Sequence, residues 1–507
     1  MFLRSQIATL ELISLVKVFA KKYTFFFPLS KKILIFALAS SPYICGGEQL
    51  HIERRYLRFV FKSTNGNNTK VKHPLFNVSL RRLNKIVRFW LLGRKKKGDY
   101  FALKQYNFID LFAGCGGLSE GFYRKGFKAL AHVEIDHWAC ETLKTRMRHY
   151  GYEGDIKEVL EQDITDENII SKIEDVIQGK RVDVIIGGPP CQAYSTAGRV
   201  RDAVGMATDP RNFLFKSYVK ILEHFRPPFF VFENVTGVLS AMVNGKPIFP
   251  SIITALGKLY KVTDNANMLI HNTADYGVPQ LRKRVVIMGV RKDISNKKIE
   301  DLYNDVIKTH WNPETPETER YNKKIYVSVK QAIGDLPPVE PGKDGSTKEF
   351  FYKCDNDFLA RIGEKGLHPL LDHIARKHNA LDRERFRVMI KNNWTFGQLR
   401  REMPQFEHEH ARIFDNSYVV QWWDLPSKTI LAHIHKDGFQ YIHPDYDQAR
   451  TFTVREAARI QSFPDDFVFE GARGEKFKQI GNAVPPLFAE ALATSIKKNL
   501  DDIKDDI

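Results

Sequence analysis

From Tyr106 onwards the sequence alternates short apolar runs with helical patterns, and this alternation constrains the fold more than any other feature. The runs are rich in Val, Ile and Phe, which is typical of buried strands. Regular alternation of strands and helices favours a parallel, doubly wound α/β sheet. The pattern predicts strands over 107–112, 128–135, 182–186, 229–232 and 285–290, and helices over about 118–125, 137–150 and 487–500.

The positive charge of the chain is confined to its N-terminal part. Residues 1–106 contain 21 Lys and Arg against 4 Asp and Glu, which accounts for the whole net charge of +17. The rest of the chain is neutral, so the global charge neither supports nor excludes a nucleic-acid partner. We interpret residues 1–105 as a basic extension that is poorly ordered or outside the fold, with a membrane-associated or DNA-binding arm as the alternative.

Beyond about residue 291 the alternation of strands and helices fails. Residues 340–425 are rich in charge, His and aromatic side chains without a clear period. A segment of this length is too long for a loop, and it predicts a second, irregular domain.

A cysteine follows two glycines and two prolines directly after the third predicted strand, in Gly187-Gly188-Pro189-Pro190-Cys191-Gln192. Ligands of open α/β sheets bind at the carboxyl ends of the strands. A cysteine on such a stiff loop indicates a positioned nucleophile. Free cysteine is also a common core residue, so this loop alone leaves both interpretations of Cys191 open.

A glycine-rich loop, Phe112-Ala113-Gly114-Cys115-Gly116-Gly117, joins the first predicted strand to the first helix. The glycines permit a tight turn and the close approach of a ligand, and the helix N-terminus offers free N–H groups. Glu134 ends the second strand, where an acidic side chain can hold the hydroxyls of a ribose. No Gly-Lys-Ser/Thr of a P-loop follows, so the sequence favours a nucleoside cofactor over a nucleoside triphosphate.

Six motifs follow one another along the chain: the glycine-rich loop, the Pro-Pro-Cys-Gln loop, Phe232-Glu233-Asn234-Val235, Gln280-Leu281-Arg282-Lys283-Arg284, Arg455-Glu456-Ala457-Ala458-Arg459-Ile460-Gln461 and Gly481-Asn482-Ala483-Val484. Together they resemble the motif series of DNA (cytosine-5)-methyltransferases of the bacterial restriction-modification type. The resemblance covers residues 107–290 and about 426–500. It implies an α/β fold with a Rossmann-like S-adenosylmethionine-dependent methyltransferase lobe and a smaller irregular target-recognition lobe.

The same resemblance implies a division of the chain after the extension. Residues 106–339 are expected to form the catalytic and cofactor-binding domain, and residues 340–425 the target-recognition domain. Residues 426–500 are expected to return to the catalytic domain and to include its C-terminal helix.

The matching positions imply four catalytic residues. Cys191 would attack C6 of cytosine, and Glu233 would donate a hydrogen bond or proton to N3. Arg282 and Arg284 would lie near the flipped base, where guanidinium groups can bind its O2 and a phosphate. A structural ion pair is the alternative for Arg284, so Arg282 is the preferred candidate. The segment from Arg455 to Gln461 is interpreted as structural support.

The cofactor implied by the resemblance is S-adenosylmethionine, and no metal is expected. Its adenine would stack on one aromatic side chain, its ribose and amino group would meet two carboxylates, and its methionine part would enter the glycine-rich loop. The matching positions are Phe112, Glu134, Asp163, Gly114, Gly116 and Gly117, with Asn482 returning beside the cofactor from the C-terminal part.

The implied substrate is double-stranded DNA with a specific target sequence. A cognate restriction endonuclease outside the chain, a monomeric state, a bacterial cytoplasmic location and no stable membrane association complete the expectation. The five cysteines lack any CxxC pair, which fits a reducing compartment. Two alternatives are an RNA cytosine-5 methyltransferase and a catalytically inactive DNA-binding regulator. The long segment 291–425 favours DNA, and intact Cys191, Glu233 and Arg282 favour an enzyme.

Overall fold

The computed structural model describes residues 105–190, 213–243, 245–407 and 417–503, together with the backbone of two short strands, Leu34–Phe36 and Val60–Lys62. The chain divides into two compact units, Met1–Leu103 and Lys104–Ile507. In the first unit the two short strands pair in antiparallel orientation. Most of the predicted basic extension lies outside the described residues. All other elements among the described residues belong to the second unit.

A central sheet organises the second unit. The strands are β1 (Asn107–Leu111), β2 (Lys128–Glu134), β3 (Val159–Glu161), β4 (Val184–Gly187), β5 (Phe229–Val235), β6 (Tyr260–Lys261), β7 (Ile270–Asn272) and β8 (Lys283–Arg291). Their order in the sheet is β6–β8–β5–β4–β1–β2–β3, and β7 pairs with β8 beside this path. The five strands β5, β4, β1, β2 and β3 are parallel to one another, as the alternation of strands and helices predicts.

The last strand differs from the prediction, because β8 runs antiparallel to β5, β6 and β7. Residues 273–282 connect β7 to β8, and the two strands pair with Ile270 opposite Val285 and Asn272 opposite Lys283. A parallel return would need a crossover of about a dozen residues or more, usually a helix, and this connection is shorter. The α/β class predicted from the sequence is confirmed, whereas the fully parallel sheet is wrong.

Helices with one apolar face pack against this sheet. In helix α3 (Ile169–Ile177), for example, the buried residues are Ile169, Ile173 and Ile177, which recur every four positions along one face. The helices are α1 (Gly117–Arg124), α2 (His137–His149), α3 (Ile169–Ile177), α4 (Leu214–Phe225), α5 (Ile248–Leu256), α6 (Ala266–Leu269), α7 (Ile299–Asn304), α8 (Val329–Ile333), α9 (Asp357–Ile362), α10 (Ala380–Asn392), α11 (Phe396–Glu402), α12 (Val454–Ile460), α13 (Arg473–Asn482) and α14 (Pro486–Asp502).

Short strand pairs and 3₁₀ turns complete the architecture. The pairs are Met242–Val243 with Lys246–Pro247, His310–Trp311 with Lys324–Ile325, Thr347–Tyr352 with Gly366–Leu370, and Gln280–Leu281 with Ser427–Lys428. The 3₁₀ turns are Thr236–Ser240, Thr273–Tyr276, Glu317–Glu319, Pro404–Phe406, Ala432–His435 and Phe439–Tyr441.

A second hydrophobic core lies outside the main one and defines a small lobe. It is built by α10, α11 and the segments that follow them, with the buried residues Phe386, Met389, Phe396, Leu399, Phe406, Tyr418, Val420, Ile442 and Ala449. The core does not match the expected 340–425 boundaries, because Ile442 and Ala449 lie beyond residue 425. Tyr352, Phe358 and Leu370, by contrast, are part of the main core. The composition of 340–425 marks an irregular region but does not reveal which core its apolar side chains join.

The segment from Arg455 to Gln461 covers most of α12 and the residue that caps its C-terminus, and its charged side chains form buried ion pairs. Glu456 is buried and accepts hydrogen bonds from both terminal nitrogens of Arg450, each at 2.7 Å. Burial alone would raise the pKa of Glu456, but Arg450 and His443 hold it well below its usual range. Arg459, also fully buried, pairs with Asp465 at 2.7 Å. These ion pairs anchor the helix within the core.

Candidate active site

The candidate residues collect at one edge of the sheet, because the carboxyl ends of the parallel strands meet there. The segments that follow β1, β2, β3 and β4 are the glycine-rich loop, Ile135-Asp136, Gln162-Asp163 and Gly188-Pro189-Pro190. Glu233 lies near the carboxyl end of β5, where Val235 pairs with Arg284 at the start of the antiparallel β8. The fold therefore brings these distant motifs together at one edge.

The glycine-rich loop is tied to the end of β2 through the Glu134 carboxylate. The N–H of Gly114 donates to one oxygen of Glu134 at 2.7 Å. The N–H groups of Ile135 and Asp136 donate to the other oxygen at 2.9 and 2.8 Å. Burial raises the pKa of Glu134, and these three N–H groups oppose the rise because they stabilise the charged form. The carboxylate is thus fixed in direction before any ligand binds.

Within the loop, the three glycines serve different purposes. Gly114 has a φ of +54°, and a side chain added there would meet nothing within 4 Å, so its surface is open to a ligand. A Cβ on Gly116 would lie 2.7 Å from Leu143, and a Cβ on Gly117 would lie 2.4 Å from the carbonyl oxygen of Val484. Gly114 therefore leaves open space at its surface. The other two allow close protein packing.

The contact between Gly117 and Val484 also explains how a C-terminal residue reaches the loop. Asn482 is exposed and ends α13, two residues before Val484. Ala483 lies 3.0 Å from the position that a Cβ of Gly117 would occupy. The structure therefore places Asn482 next to the segment that packs against the glycine-rich loop.

Phe112 and Asp163 both follow strands at this edge of the sheet, but Phe112 is half-buried and Asp163 is exposed. Phe112 has a φ of +59° and is half-buried directly after β1. A positive φ is uncommon for a residue with a bulky side chain, and it marks a backbone position set by its surroundings. Asp163 is exposed after β3, and its Oδ1 accepts hydrogen bonds from the N–H and the hydroxyl of Thr165 at 2.8 and 2.7 Å.

Glu233 and Arg284 form a close ion pair at the ends of β5 and β8. The Nε of Arg284 lies 2.9 Å from Oε1 of Glu233, and the side chains are only 10% and 12% exposed. Burial lowers the pKa of Arg284, while the Glu233 carboxylate opposes that shift. A nearly buried, charge-assisted pair of this kind fixes both side chains in direction.

The loop after β4 lies against this ion pair. A Cβ on Gly188 would lie 2.9 Å from Oε2 of Glu233, so the missing side chain lets the loop approach the carboxylate. The side-chain amide of Asn234 donates to the carbonyl oxygen of Pro189 at 3.3 Å. Cys191 itself lies outside the described residues, directly after the exposed Pro190. The described part of the loop thus ends beside Glu233, one residue before the predicted nucleophile.

Arg282 has a different environment from Arg284. It is only 2% exposed, and its terminal nitrogens donate to the carbonyl oxygens of Ile430, Gly481 and Ala483 at 2.6, 3.2 and 3.1 Å. Burial, with a smaller contribution from Arg284, lowers the pKa of Arg282. The two arginines thus differ in their partners, since Arg284 contacts the Glu233 carboxylate and Arg282 contacts backbone carbonyl groups.

Three buried polar side chains were not singled out by the sequence analysis. Gln280 and Gln461 were quoted only as letters of motifs, yet both are buried and hydrogen-bonded to each other at 2.5 Å. Asp110 on β1 was also missed; its Oδ2 accepts from the Ser119 hydroxyl at 2.5 Å, and burial raises its pKa to about 8. A buried polar side chain inside an apolar strand was the available signal for Asp110.

The model of the C-5 cytosine-specific DNA methylase family matches residues 106–498, which includes every motif at this edge. The chain belongs to this family. Its enzymatic class is therefore DNA (cytosine-5)-methyltransferase, and the resemblance noted in the sequence is confirmed.

Curated relatives of this methyltransferase span most of its second unit. The type II methyltransferase M.Bpa9945I of Bacillus paralicheniformis is 34% identical over 460 positions, covering 77% of this chain and 98% of that protein. The type II methyltransferase M.DdeI of Desulfomicrobium norvegicum is 34% identical over 404 positions, covering 77% of this chain and 88% of that protein. A crystal structure of a prophage DNA modification methyltransferase of E. coli matches with a TM-score of 0.57 at 24% identity, covering 78% of this chain and all of that one. This last likeness concerns the fold alone.

Two further features concern only the described part of the methyltransferase. There, no group of three or more His, Cys, Asp or Glu side chains has an arrangement able to hold a metal ion. No helix among the described residues combines the length and the apolar character needed to cross a bilayer.

Proposed function

We propose that the protein transfers a methyl group from S-adenosylmethionine to C5 of a flipped cytosine within a specific duplex DNA sequence, through a covalent adduct of Cys191 at C6. The observation that carries this proposal is the Glu233–Arg284 ion pair beside the loop that leads into Cys191. A carboxyl group and a guanidinium held side by side match the N3 and O2 edge of a cytosine ring. The nucleophile then reaches the same base from the adjoining loop.

The proposed chemistry begins with the Cys191 thiolate. Its sulfur forms a bond to C6 while the C5=C6 π bond breaks, and the displaced electron density develops enamine character at C5. Glu233 relieves the negative charge on the ring by a hydrogen bond or proton transfer at N3. After C5 has gained the methyl group, loss of the C5 proton to a base re-forms the double bond and expels the thiolate. Arg284 would bind O2 and hold the ring in place.

The residues at the ends of β1 and β2 suit S-adenosylmethionine, which would supply an electrophilic methyl group. Gly114 leaves open space beside the N-terminus of α1, where the methionine part would fit. The fixed carboxylate of Glu134 would hold the ribose hydroxyls. Phe112 would contact the adenine face, Asp163 its amino group, and Asn482 the cofactor from the C-terminal side.

We further propose that the target cytosine leaves the DNA helix. Attack at C6 and methyl transfer to C5 require access to the faces of the ring, which are stacked in duplex DNA. The small lobe, with its own core, would read the DNA sequence while the main lobe performs the chemistry. The irregular segment around α10 and α11 is the proposed source of base contacts.

The type II names of the relatives support a role as the modification enzyme of a restriction-modification system. A cognate endonuclease would then act on the same site, and the methyltransferase would work as a monomer. Bisulfite sequencing of host DNA with and without the gene should show 5-methylcytosine at one short sequence. Light scattering of the purified protein should give the mass of one chain.

A trapping experiment tests the covalent route. Duplex DNA containing 5-fluorocytosine at the target should form a stable adduct, because fluorine at C5 blocks the final loss of a proton. Cys191→Ser should form no adduct and no product while it still binds S-adenosylmethionine. Parallel reactions with tRNA separate DNA from RNA methylation. Normal turnover by the serine variant would exclude the proposed nucleophile.

A further inference from the structure

Three buried polar side chains meet at the point where β8 begins. Arg282 directly precedes this strand, and Gln280 lies in the short strand Gln280–Leu281 just before it. Gln461 directly follows α12. The amide of Gln280 donates to Gln461 at 2.5 Å, and all three side chains are at most 2% exposed. We call Gln280, Arg282 and Gln461 the buried junction. It has hydrogen-bond donors directed at two segments that are distant in sequence.

The first segment is the C-terminal end of α13. The last carbonyl groups of a helix have no partner within the helix, and they carry the negative end of its dipole. Here Gln461 donates to the carbonyl of Ile480 at 2.6 Å, and Arg282 donates to those of Gly481 and Ala483. Arg282 is therefore a cationic cap of the helix that ends at Asn482.

The second segment lies around Ile430, between Val420 and Ile442 of the small lobe, and Ile430 itself packs in the main core. Arg282 donates to the carbonyl of Ile430 at 2.6 Å, and the N–H of Ile430 donates to Gln280 at 3.0 Å. The two segments also touch each other, since a Cβ on Gly481 would lie 2.2 Å from the nitrogen of Ala432. The guanidinium of Arg282 thus joins the helix end at Asn482 to the segment around Ile430.

We propose that Arg282 is a positioning residue that sets cofactor affinity, and that it does not contact the target base. Its hydrogen bonds to the carbonyl groups of Gly481 and Ala483 fix residues 481–483. The neighbouring Val484 packs against Gly117 of the glycine-rich loop, where the cofactor is proposed to bind. No carboxylate pairs with Arg282 among the described residues, so its charge is balanced by carbonyl dipoles. This inference rests on the proposed use of S-adenosylmethionine.

Arg282→Lys is the informative variant, because lysine keeps the charge but carries its donors on a single nitrogen, which lacks the reach of the two terminal guanidinium nitrogens that bind these carbonyl groups. Losing these charge-assisted hydrogen bonds should weaken S-adenosylmethionine binding by about tenfold or more, measured by calorimetry without DNA. The KM for the cofactor should rise by a similar factor, while kcat at saturating cofactor and DNA affinity stay close to wild type. If Arg282 contacted the target base, the variant would instead lower kcat or the affinity for DNA and leave the affinity for the cofactor unchanged. That result would contradict the proposal.

Arg455→Lys is the matched control. Arg455 is fully buried and also donates to three carbonyls, those of Leu371, Pro464 and Phe467 at 3.1, 3.3 and 3.1 Å. The Arg455→Lys variant should lower the melting temperature as Arg282→Lys does, but it should not change the affinity for the cofactor. Equal loss of cofactor affinity in both variants would overturn the proposal, because general destabilisation would then explain the effect.

A second variant and a ligand-free readout keep the test decisive if Arg282→Lys fails to fold. Gln461→Met removes the donor to Ile480 at similar volume and should weaken cofactor binding in the same direction. Hydrogen exchange of the Ala483 amide in the ligand-free protein should accelerate in Arg282→Lys and Gln461→Met but not in Arg455→Lys. Unchanged exchange in the two junction variants would refute the positioning role. A wild-type protein that binds no S-adenosylmethionine would refute the proposed function instead.

Discussion

At the scale of single residues, the Glu233–Arg284 pair combines an acid and a cation in one nearly buried contact. Glu233→Gln keeps the shape but can no longer carry charge or transfer a proton. We expect kcat to fall by about 100-fold or more, in keeping with the usual contribution of general acid–base catalysis. Single-turnover kinetics with radiolabelled cofactor measures this. The affinity for S-adenosylmethionine should not change, and a variant that loses cofactor binding at normal kcat would contradict the assignment.

Asp110 gives a pH-dependent prediction. Burial raises its pKa to about 8 from an ordinary value of 3.8, so the folded protein binds a proton that the unfolded chain releases. This contribution to stability is fully present below about pH 4 and is lost as the pH rises through about 8. Asp110→Asn should therefore reduce the fall in melting temperature between about pH 5 and pH 8.5.

The comparison uses calorimetry of the ligand-free protein over that pH range. Asp264→Asn, at an exposed position, is the control and should leave the pH dependence of stability unchanged. An Asp110→Asn variant that follows the wild-type curve would show that Asp110 is ionised in the folded state.

The two arginines show what the sequence could and could not specify. Strand periodicity places Arg282 and Arg284 on one face, which makes them equivalent candidates. The pairing partner changes between them, since Leu281 pairs with Lys428 and Arg284 pairs with Val235. That change depends on a segment distant in sequence, so no local pattern could reveal that Arg284 reaches Glu233.

At the scale of elements, the strands beside the site were predictable, whereas the two-residue strands and the 3₁₀ turns were not. Continuous apolar runs identify β1, β2, β4 and β5 because a buried parallel strand needs apolar residues on both faces. The two-residue strands and 3₁₀ turns between 240 and 450 are held by tertiary contacts, and short local patterns do not predict such contacts.

The second core leads to a prediction on sequence specificity. Replacing residues 340–425 with the corresponding segment of a type II relative should move the methylated site while the product stays 5-methylcytosine. Ile442 and Ala449 must be exchanged at the same time, because both are buried in this core with Phe386 and Tyr418. Bisulfite sequencing of a plasmid library identifies the site. A folded chimera that keeps the original site would show that sequence reading lies elsewhere.

At the scale of the whole molecule, nearly all the net positive charge lies in the first unit and all the motifs lie in the second. We expect a protein that begins near Gly98 to fold, bind cofactor and methylate the same sites as the full chain. If the first unit binds DNA, its loss should weaken affinity for all sequences alike, because Lys and Arg clusters contact phosphates.

Measurements of kcat, target site and the salt dependence of DNA affinity on both proteins test this prediction. A flatter salt dependence with unchanged kcat is the expected result if the first unit contacts phosphates. An unfolded or inactive shorter protein would show that the first unit is part of the enzyme.

The contact of Val484 with Gly117 has a consequence for biosynthesis. The glycine-rich loop gains this packing partner only after the ribosome has released residue 484. Contacts between residues so far apart in sequence form late, since the entropy of closing a long loop opposes them. Nascent chains that end before Val484 therefore lack this contact, and we expect no methyl transfer from them.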